Sequence, residues 1–155
     1  MVKILFVCTG NSCRSPMAAA LFQKMAKSEG LDVEVKSCGT ATLSGLSASK
    51  PAIEVLRREG IDISGHKAVP VNSQLVNWAD VILVMEEKHK EDIIEKFPQV
   101  RGKVYLLTEF ADQERKDIVD PIGKPSEVYE GLVLDLKYYL EKIIRRFKDE
   151  NKYCK

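Results

Sequence analysis

The run Val2–Val7 is apolar at every position but Lys3, and it leads through Gly10 and Asn11 to Ser15-Pro16, the pattern of a strand, a loop and a helix start. A strand that is apolar at consecutive positions has to be covered on both faces, which is the situation of a central strand in a parallel sheet. Beyond the loop, Ser15 is a candidate helix cap and Pro16 suits a first helical turn. Met17, Leu21, Phe22 and Met25 then recur at helical spacing up to about Gly30. With a second strand expected over Val33–Ser37, the N-terminal part reads as a β-α-β unit.

The same alternation continues along the chain. A helix over Pro51–Glu59 is stopped by Gly60, and a buried strand is expected over Val81–Met85. A charged helix over Glu87–Phe97 and a strand over Val104–Leu107 follow. After a polar segment and the turn at Asp120-Pro121, residues Val128, Leu132, Leu136, Leu140, Ile143, Ile144 and Phe147 mark a long amphipathic helix that closes the fold against the sheet. The expectation is an α/β fold forming one domain over residues 1–155. It is a three-layer sandwich with a four-stranded parallel sheet, helices on both faces and an anion-binding loop after the first strand.

Hydrophobic residues make up 45% of the 155 residues and charged residues 30%, which excludes a disordered chain and a membrane protein. With 24 basic against 23 acidic residues, no nucleic-acid or membrane partner is expected, and any anion binding has to be local. The apolar stretch Ile4–Val7 is too short for a signal peptide or a spanning helix, so a cytoplasmic location is expected. The four cysteines, Cys8, Cys13, Cys38 and Cys154, lack the spacing of a disulfide framework. Cys8 and Cys13 have no second Cys/His pair to complete a zinc site, and no metal is expected.

In an open parallel sheet, ligands sit beyond the C-terminal ends of the strands, where helix N-termini present unpaired N–H groups. The segment Cys8-Thr9-Gly10-Asn11-Ser12-Cys13-Arg14-Ser15 lies there. Gly10 permits backbone conformations closed to other residues and Asn11 tolerates the left-handed region, so successive amides are expected to turn inward around one anion. Arg14 adds a planar fork for two phosphoryl oxygens. The same field is expected to stabilise a thiolate at Cys8, whose unperturbed pKa is about 8.5, and make it a nucleophile.

The stretch CTGNSCRSPM resembles the C-x-G-N-x-C-R-S signature of the low-molecular-weight protein tyrosine phosphatases. Ser37-Cys38-Gly39-Thr40 is similar to that family's S-x-G-T, Gly60-Ile61-Asp62-Ile63 with His66-Lys67-Ala68 to its G-I-x-x-x-H-K-A, and Asp120-Pro121 falls where its acid stands. The resemblance implies a phosphocysteine on Cys8, with Arg14 binding the phosphoryl oxygens and Ser15 stabilising the departing thiolate. It further implies that Ser37 and His66 hold Asn11 in an unusual backbone conformation and that Asp120 protonates the leaving group and later activates water. It also implies catalysis without a cofactor, a phosphorylated protein as partner, and inorganic phosphate as product and inhibitor. Reversible oxidation between Cys8 and Cys13 is a further expectation.

Phosphotyrosine is the first expected substrate and phosphoarginine the alternative. Tyrosine-specific members have D-P-Y-Y where this chain has Asp120-Pro121-Ile122-Gly123, and Leu43 stands where some carry another aromatic residue. Ser12 occupies the loop position that is bulky and aliphatic in many tyrosine phosphatases and threonine in the related protein arginine phosphatases. Leu43 and Ile122 are the candidate walls of the substrate slot. The related arsenate reductases need two further cysteines after the third strand, and residues 85–96 contain none. A non-catalytic phosphate-binding module has no use for both a nucleophile and a remote acid.

Overall fold

The computed structural model describes residues 1–150, and Cys154 lies outside them. The chain runs from β1 (Val2–Cys8) through α1 (Arg14–Ser28) to β2 (Val33–Gly39), then α2 (Lys50–Arg57) and α3 (Ser73–Trp78). It continues with β3 (Val81–Val84), α4 (Glu87–Lys96), a 3-10 segment over Pro98–Lys103 and β4 (Val104–Leu106), and ends with α5 (Leu107–Asp112) and α6 (Ser126–Glu150). The four strands form one parallel sheet in the order β2-β1-β3-β4, as expected.

The continuous apolar run of β1 is explained by two cores. Val2, Ile4, Phe6 and Cys8 face a layer built from α1, α2, α5 and α6, while Leu5 and Val7 face the layer carrying Val76 of α3 and Ile93 of α4. On the first layer, Leu132, Leu136, Leu140, Ile143, Ile144 and Phe147 of α6 are buried, each worth about 2 kcal/mol relative to exposure. Among the described residues, no helix is long and apolar enough to cross a membrane.

Three details differ from the expectation. The helices α3 and α5 have six residues each, too short for periodicity to reveal them. Asn72 caps α3, its Oδ1 accepting from the Leu75 N–H at 2.9 Å. Leu107 begins α5 instead of ending β4, and Met85 lies just past β3. Ser15 does not cap α1: the helix begins at Arg14, and the hydroxyl of Ser15 turns toward Cys8.

The chain leaves β1 for β2 on one side and returns to β3 on the other, so the connections after β1 and β3 diverge at the C-terminal edge of the sheet. This topology sets the Cys8–Ser15 loop beside the junction of β3 with α4. It is the reason residues remote in sequence meet there.

Candidate active site

Cys8 ends β1 and Arg14 and Ser15 begin α1, so the intervening loop is held at both ends by regular structure. The Cys8 Sγ is 2.9 Å from Ser15 Oγ and accepts the Asn11 N–H at 3.3 Å. Asn11 sits at φ 55°, the left-handed region that its side chain tolerates better than most. Its Nδ2 donates to Ser15 Oγ at 2.7 Å and to Ser37 Oγ at 3.0 Å, and its Oδ1 accepts the Val69 N–H at 3.0 Å. The carbonyl of Asn11 accepts a hydrogen bond from His66 Nε2 at 2.8 Å. The structure thus brings Ser37 and His66 onto Asn11.

The glycine freedom expected at Gly10 is not used there, because Asn11 carries the left-handed turn. A Cβ at position 10 meets only Ser12 Oγ, at 3.5 Å. The position that demands glycine is Gly39, where a Cβ falls 2.5 Å from the Thr9 carbonyl. The end of β2 crosses the loop at this point, with Thr40 N–H donating to the Cys8 carbonyl at 2.9 Å and Ala41 N–H to that of Thr9 at 3.0 Å.

Arg14 is buried to 2% exposure. Its Nη1 donates to Glu86 Oε2 at 2.5 Å and to the Ile118 carbonyl at 2.8 Å, which uses both hydrogens of that nitrogen. Nη2 lies 3.6 Å from Asp120 Oδ2. The Nε and Nη2 side of the fork therefore remains for an oxyanion. Asp120 is half-exposed, and its Oδ1 accepts the Ile122 N–H at 3.1 Å. The segment carrying it is pinned to the sheet by Ile118, whose N–H donates to the Met85 carbonyl at 2.8 Å.

Burial raises the Cys8 thiol above its usual range, and this outweighs the opposing pull of the Ser15 hydroxyl and amide, the Arg14 guanidinium and the Asn11 amide. A site with 2% exposure removes the water that would solvate the charge, so burial opposes the thiolate expected there. The donors a thiolate needs are nevertheless aimed at the sulfur. Ser15 Oγ also lies 3.3 Å from the Cys38 carbonyl, so its proton has an acceptor while Cys8 is a thiol and can turn to Sγ once that proton leaves.

Ser12 is half-buried, its Oγ 3.7 Å from Cys13 Sγ. Cys13 is buried against Ser49 Oγ at 3.1 Å and the Tyr129 hydroxyl at 3.5 Å, and burial together with Cys13 pushes the Tyr129 hydroxyl up to about 12. The segment between Ala41 and Ser49 meets the loop at both of its ends, with Ala41 N–H donating to the Thr9 carbonyl at 3.0 Å and Ser49 N–H to that of Ser12 at 2.9 Å. Leu43 within it is 73% exposed, and Ile122 beside Asp120 is 54% exposed. Cys38 projects into the opposite core with Leu5 and Val7, away from Cys8.

Sequence reasoning missed Glu86, His89, Ser49 and Tyr129. Glu86 and His89 carry a usable signal: a carboxylate followed three residues later by a polar side chain at a helix start is the spacing of a reciprocal cap. Ser49 precedes Lys50-Pro51 and caps α2 through Ala52 N–H at 3.3 Å. Tyr129 is indistinguishable in sequence from any aromatic residue on the apolar face of α6.

Residues 3–153 match the family described as Low molecular weight phosphotyrosine protein phosphatase. The chain is 38% identical over 148 residues to a protein-arginine-phosphatase of Geobacillus stearothermophilus, covering 96% of this chain and 97% of that one. A low molecular weight protein tyrosine phosphatase from T. tengcongensis superposes with a TM-score of 0.90 at 39% identity, over 94% of this chain and 99% of that one. A cysteine-to-serine mutant of YwlE arginine phosphatase, with its active-site serine phosphorylated, superposes with a TM-score of 0.93 at 35% identity, over 95% and 96% of the two chains. The chain belongs to the low molecular weight phosphotyrosine protein phosphatase family.

Proposed function

We propose that this chain is a phosphoprotein phosphatase, acting as a single domain in the cytoplasm, that works through a phosphocysteine on Cys8. The observation that carries the reading is the position of Cys8 Sγ at the end of a buried strand, under the Asn11 amide at 3.3 Å and the Ser15 hydroxyl at 2.9 Å, with Arg14 buried beside it. The phosphorylated active-site serine of the related mutant supports the same route. Three buried free thiols among the described residues suit a reducing compartment.

The Cys8 thiol gives its proton to an anionic phosphoryl oxygen of the substrate and its sulfur attacks phosphorus, while the bond from phosphorus to the substrate side chain breaks as Asp120 gives the leaving group its proton. The loop amides from Thr9 to Ser15 and the free side of the Arg14 fork hold the equatorial oxygens. Water then loses a proton to the Asp120 carboxylate and attacks the phosphocysteine. The sulfur–phosphorus bond breaks, inorganic phosphate leaves, and Ser15 and Asn11 receive the thiolate.

Phosphoarginine is the substrate class we favour, ahead of the phosphotyrosine expected first from the sequence. With Leu43 and Ile122, both exposed, as the walls of the mouth in place of rings, stacking on a phosphotyrosine is lost, while the half-exposed Asp120 can give a departing guanidine its proton. Similarity along almost the whole chain to a protein-arginine-phosphatase supports this choice. Phosphotyrosine is the second reading, favoured by the apolar surface that Leu43 and Ile122 still offer. Stopped-flow with an aryl phosphate tests the chemistry: a burst of phenolate equal to the enzyme concentration is expected, and Cys8→Ser removes turnover. Wild-type turnover by that folded variant would eliminate the mechanism.

A further inference from the structure

The first turn of α4 touches both ends of the phosphate loop, although no residue of α4 belongs to that loop. Glu86 Oε2 takes Nη1 of Arg14 at 2.5 Å, near the end of the loop. His89 Nε2 is 2.7 Å from Thr9 Oγ1, on the residue that follows the nucleophile. His89 is fully buried, an environment in which an idle imidazole is unfavourable.

The hydrogen bonds define the tautomer of His89. Its Nδ1 accepts the backbone N–H of Glu86 at 3.1 Å and so carries no proton. In the neutral ring the proton is then on Nε2, which donates to Thr9 Oγ1. In return, the Glu86 side chain accepts the backbone N–H of His89, closing the reciprocal cap. The two side chains that begin the helix are thus locked by each other before either reaches the loop.

We infer that Glu86 and His89 are positioning residues of the phosphatase site: the reciprocal cap of α4 is a clamp that sets Arg14 from behind and Thr9 from the side, so that the loop is formed before substrate arrives. The inference rests on the phosphatase reading above. Burial and the charges of Arg14 and Lys88 oppose a proton on His89 more than Glu86 and Asp92 favour one, so the ring stays neutral with its pKa lowered to about 4 and the donor to Thr9 persists at working pH. The function of α4 differs from that of His66 and Ser37, which act on Asn11 from the opposite side of the loop.

The two nitrogens of His89 have different tasks, and two amide side chains separate them. His89→Asn places its oxygen near Nδ1 and keeps the cap but loses the donor to Thr9. His89→Gln reaches the Nε2 position and keeps that donor. The measurement is kcat and KM for an aryl phosphate, with the inhibition constant of orthovanadate, in both variants and in Thr9→Val. His89→Asn should lose on the order of tenfold or more in kcat, and His89→Gln should restore kcat to within about threefold. His89→Asn should cause no further loss in the Thr9→Val background, because the two changes delete one interaction. Equal activity of the Asn and Gln variants, or losses that multiply with Thr9→Val, would overturn the inference for His89.

For Glu86, Glu86→Ala should weaken orthovanadate on the order of tenfold, whereas Glu86→Gln, which keeps an oxygen for Nη1, should bind it at least as well as wild type. Equal weakening in both overturns the assignment of Glu86. If the substitutions impair folding, nitrogen-15 NMR of the wild-type histidines decides: a neutral Nε2–H ring at His89 from pH 5 to 8 is expected, and an imidazolium or an Nδ1–H ring contradicts the clamp. Failure of the phosphatase reading is distinct, because it shows as a wild-type protein without turnover.

Discussion

His66 Nε2 donates to the carbonyl of Asn11 at 2.8 Å, and this bond spans 55 positions of sequence to support a residue held at φ 55°. Left-handed backbone at a residue other than glycine is maintained only where its surroundings impose it. His66→Phe removes the donor and leaves the carbonyl of a fully buried residue without it. The expected result is a loss of about 1–3 kcal/mol in urea unfolding and a lower kcat. Ser37→Ala acts on the same residue through Nδ2, so the two losses should not add. Full activity in a folded His66→Phe variant would separate Asn11's conformation from catalysis.

Asp120 stands 3.6 Å from Arg14 Nη2 and is half-exposed. Asp120→Ala should slow substrates with poor leaving groups by on the order of a hundredfold more than an activated aryl phosphate, because an acidic phenol departs with little protonation. A leaving-group series compared by slope checks this. Parallel slopes in wild type and variant would remove Asp120 as the acid.

Substrate choice is expected to respond at the walls. Ile122→Tyr restores an aromatic surface and Ser12→Ile replaces a hydroxyl in the loop by an apolar group, so both should shift kcat/KM toward phosphotyrosine. The measurement is the ratio of kcat/KM for matched phosphotyrosine and phosphoarginine peptides, which cancels general damage. A ratio unchanged in both single variants and the double variant would place selection elsewhere, with the 40–49 segment the next to examine.

Stability should fall in mild acid because of His89. Its pKa is about 4 in the folded chain against about 6.5 when unfolded, so between these values the unfolded state binds more protons. The contribution is complete above pH 7 and is lost as pH drops from about 6.5 to 4, to at most roughly 3 kcal/mol. Urea unfolding at pH 7.5 and 5 should show a larger loss in wild type than in His89→Gln, which has nothing to titrate at that position. Identical losses would show that His89 is protonated in the folded state as readily as in the unfolded one.

The local patterns were enough for the frame of this protein. The unbroken apolar run of β1 required a covered central strand, the period of α6 required a buried face, and Cys8 with Arg14 and Ser15 stood close enough in sequence for one loop to hold them. What the sequence could not express is which distant groups reach that loop. Ser37, His66 and Asp120 were found through family resemblance, while Glu86, His89, Ser49 and Tyr129 escaped because their significance depends on packing. Glu86 and His89 matter because the sheet order sets β3 beside β1, bringing the start of α4 against Arg14 and Thr9. Gly39 matters because β2 ends across the loop, leaving no volume for a Cβ. The ionisation of Cys8 was also decided at this level: the donors around it were visible in the motif, but burial, which depends on the whole fold, determined the direction in which its thiol moves.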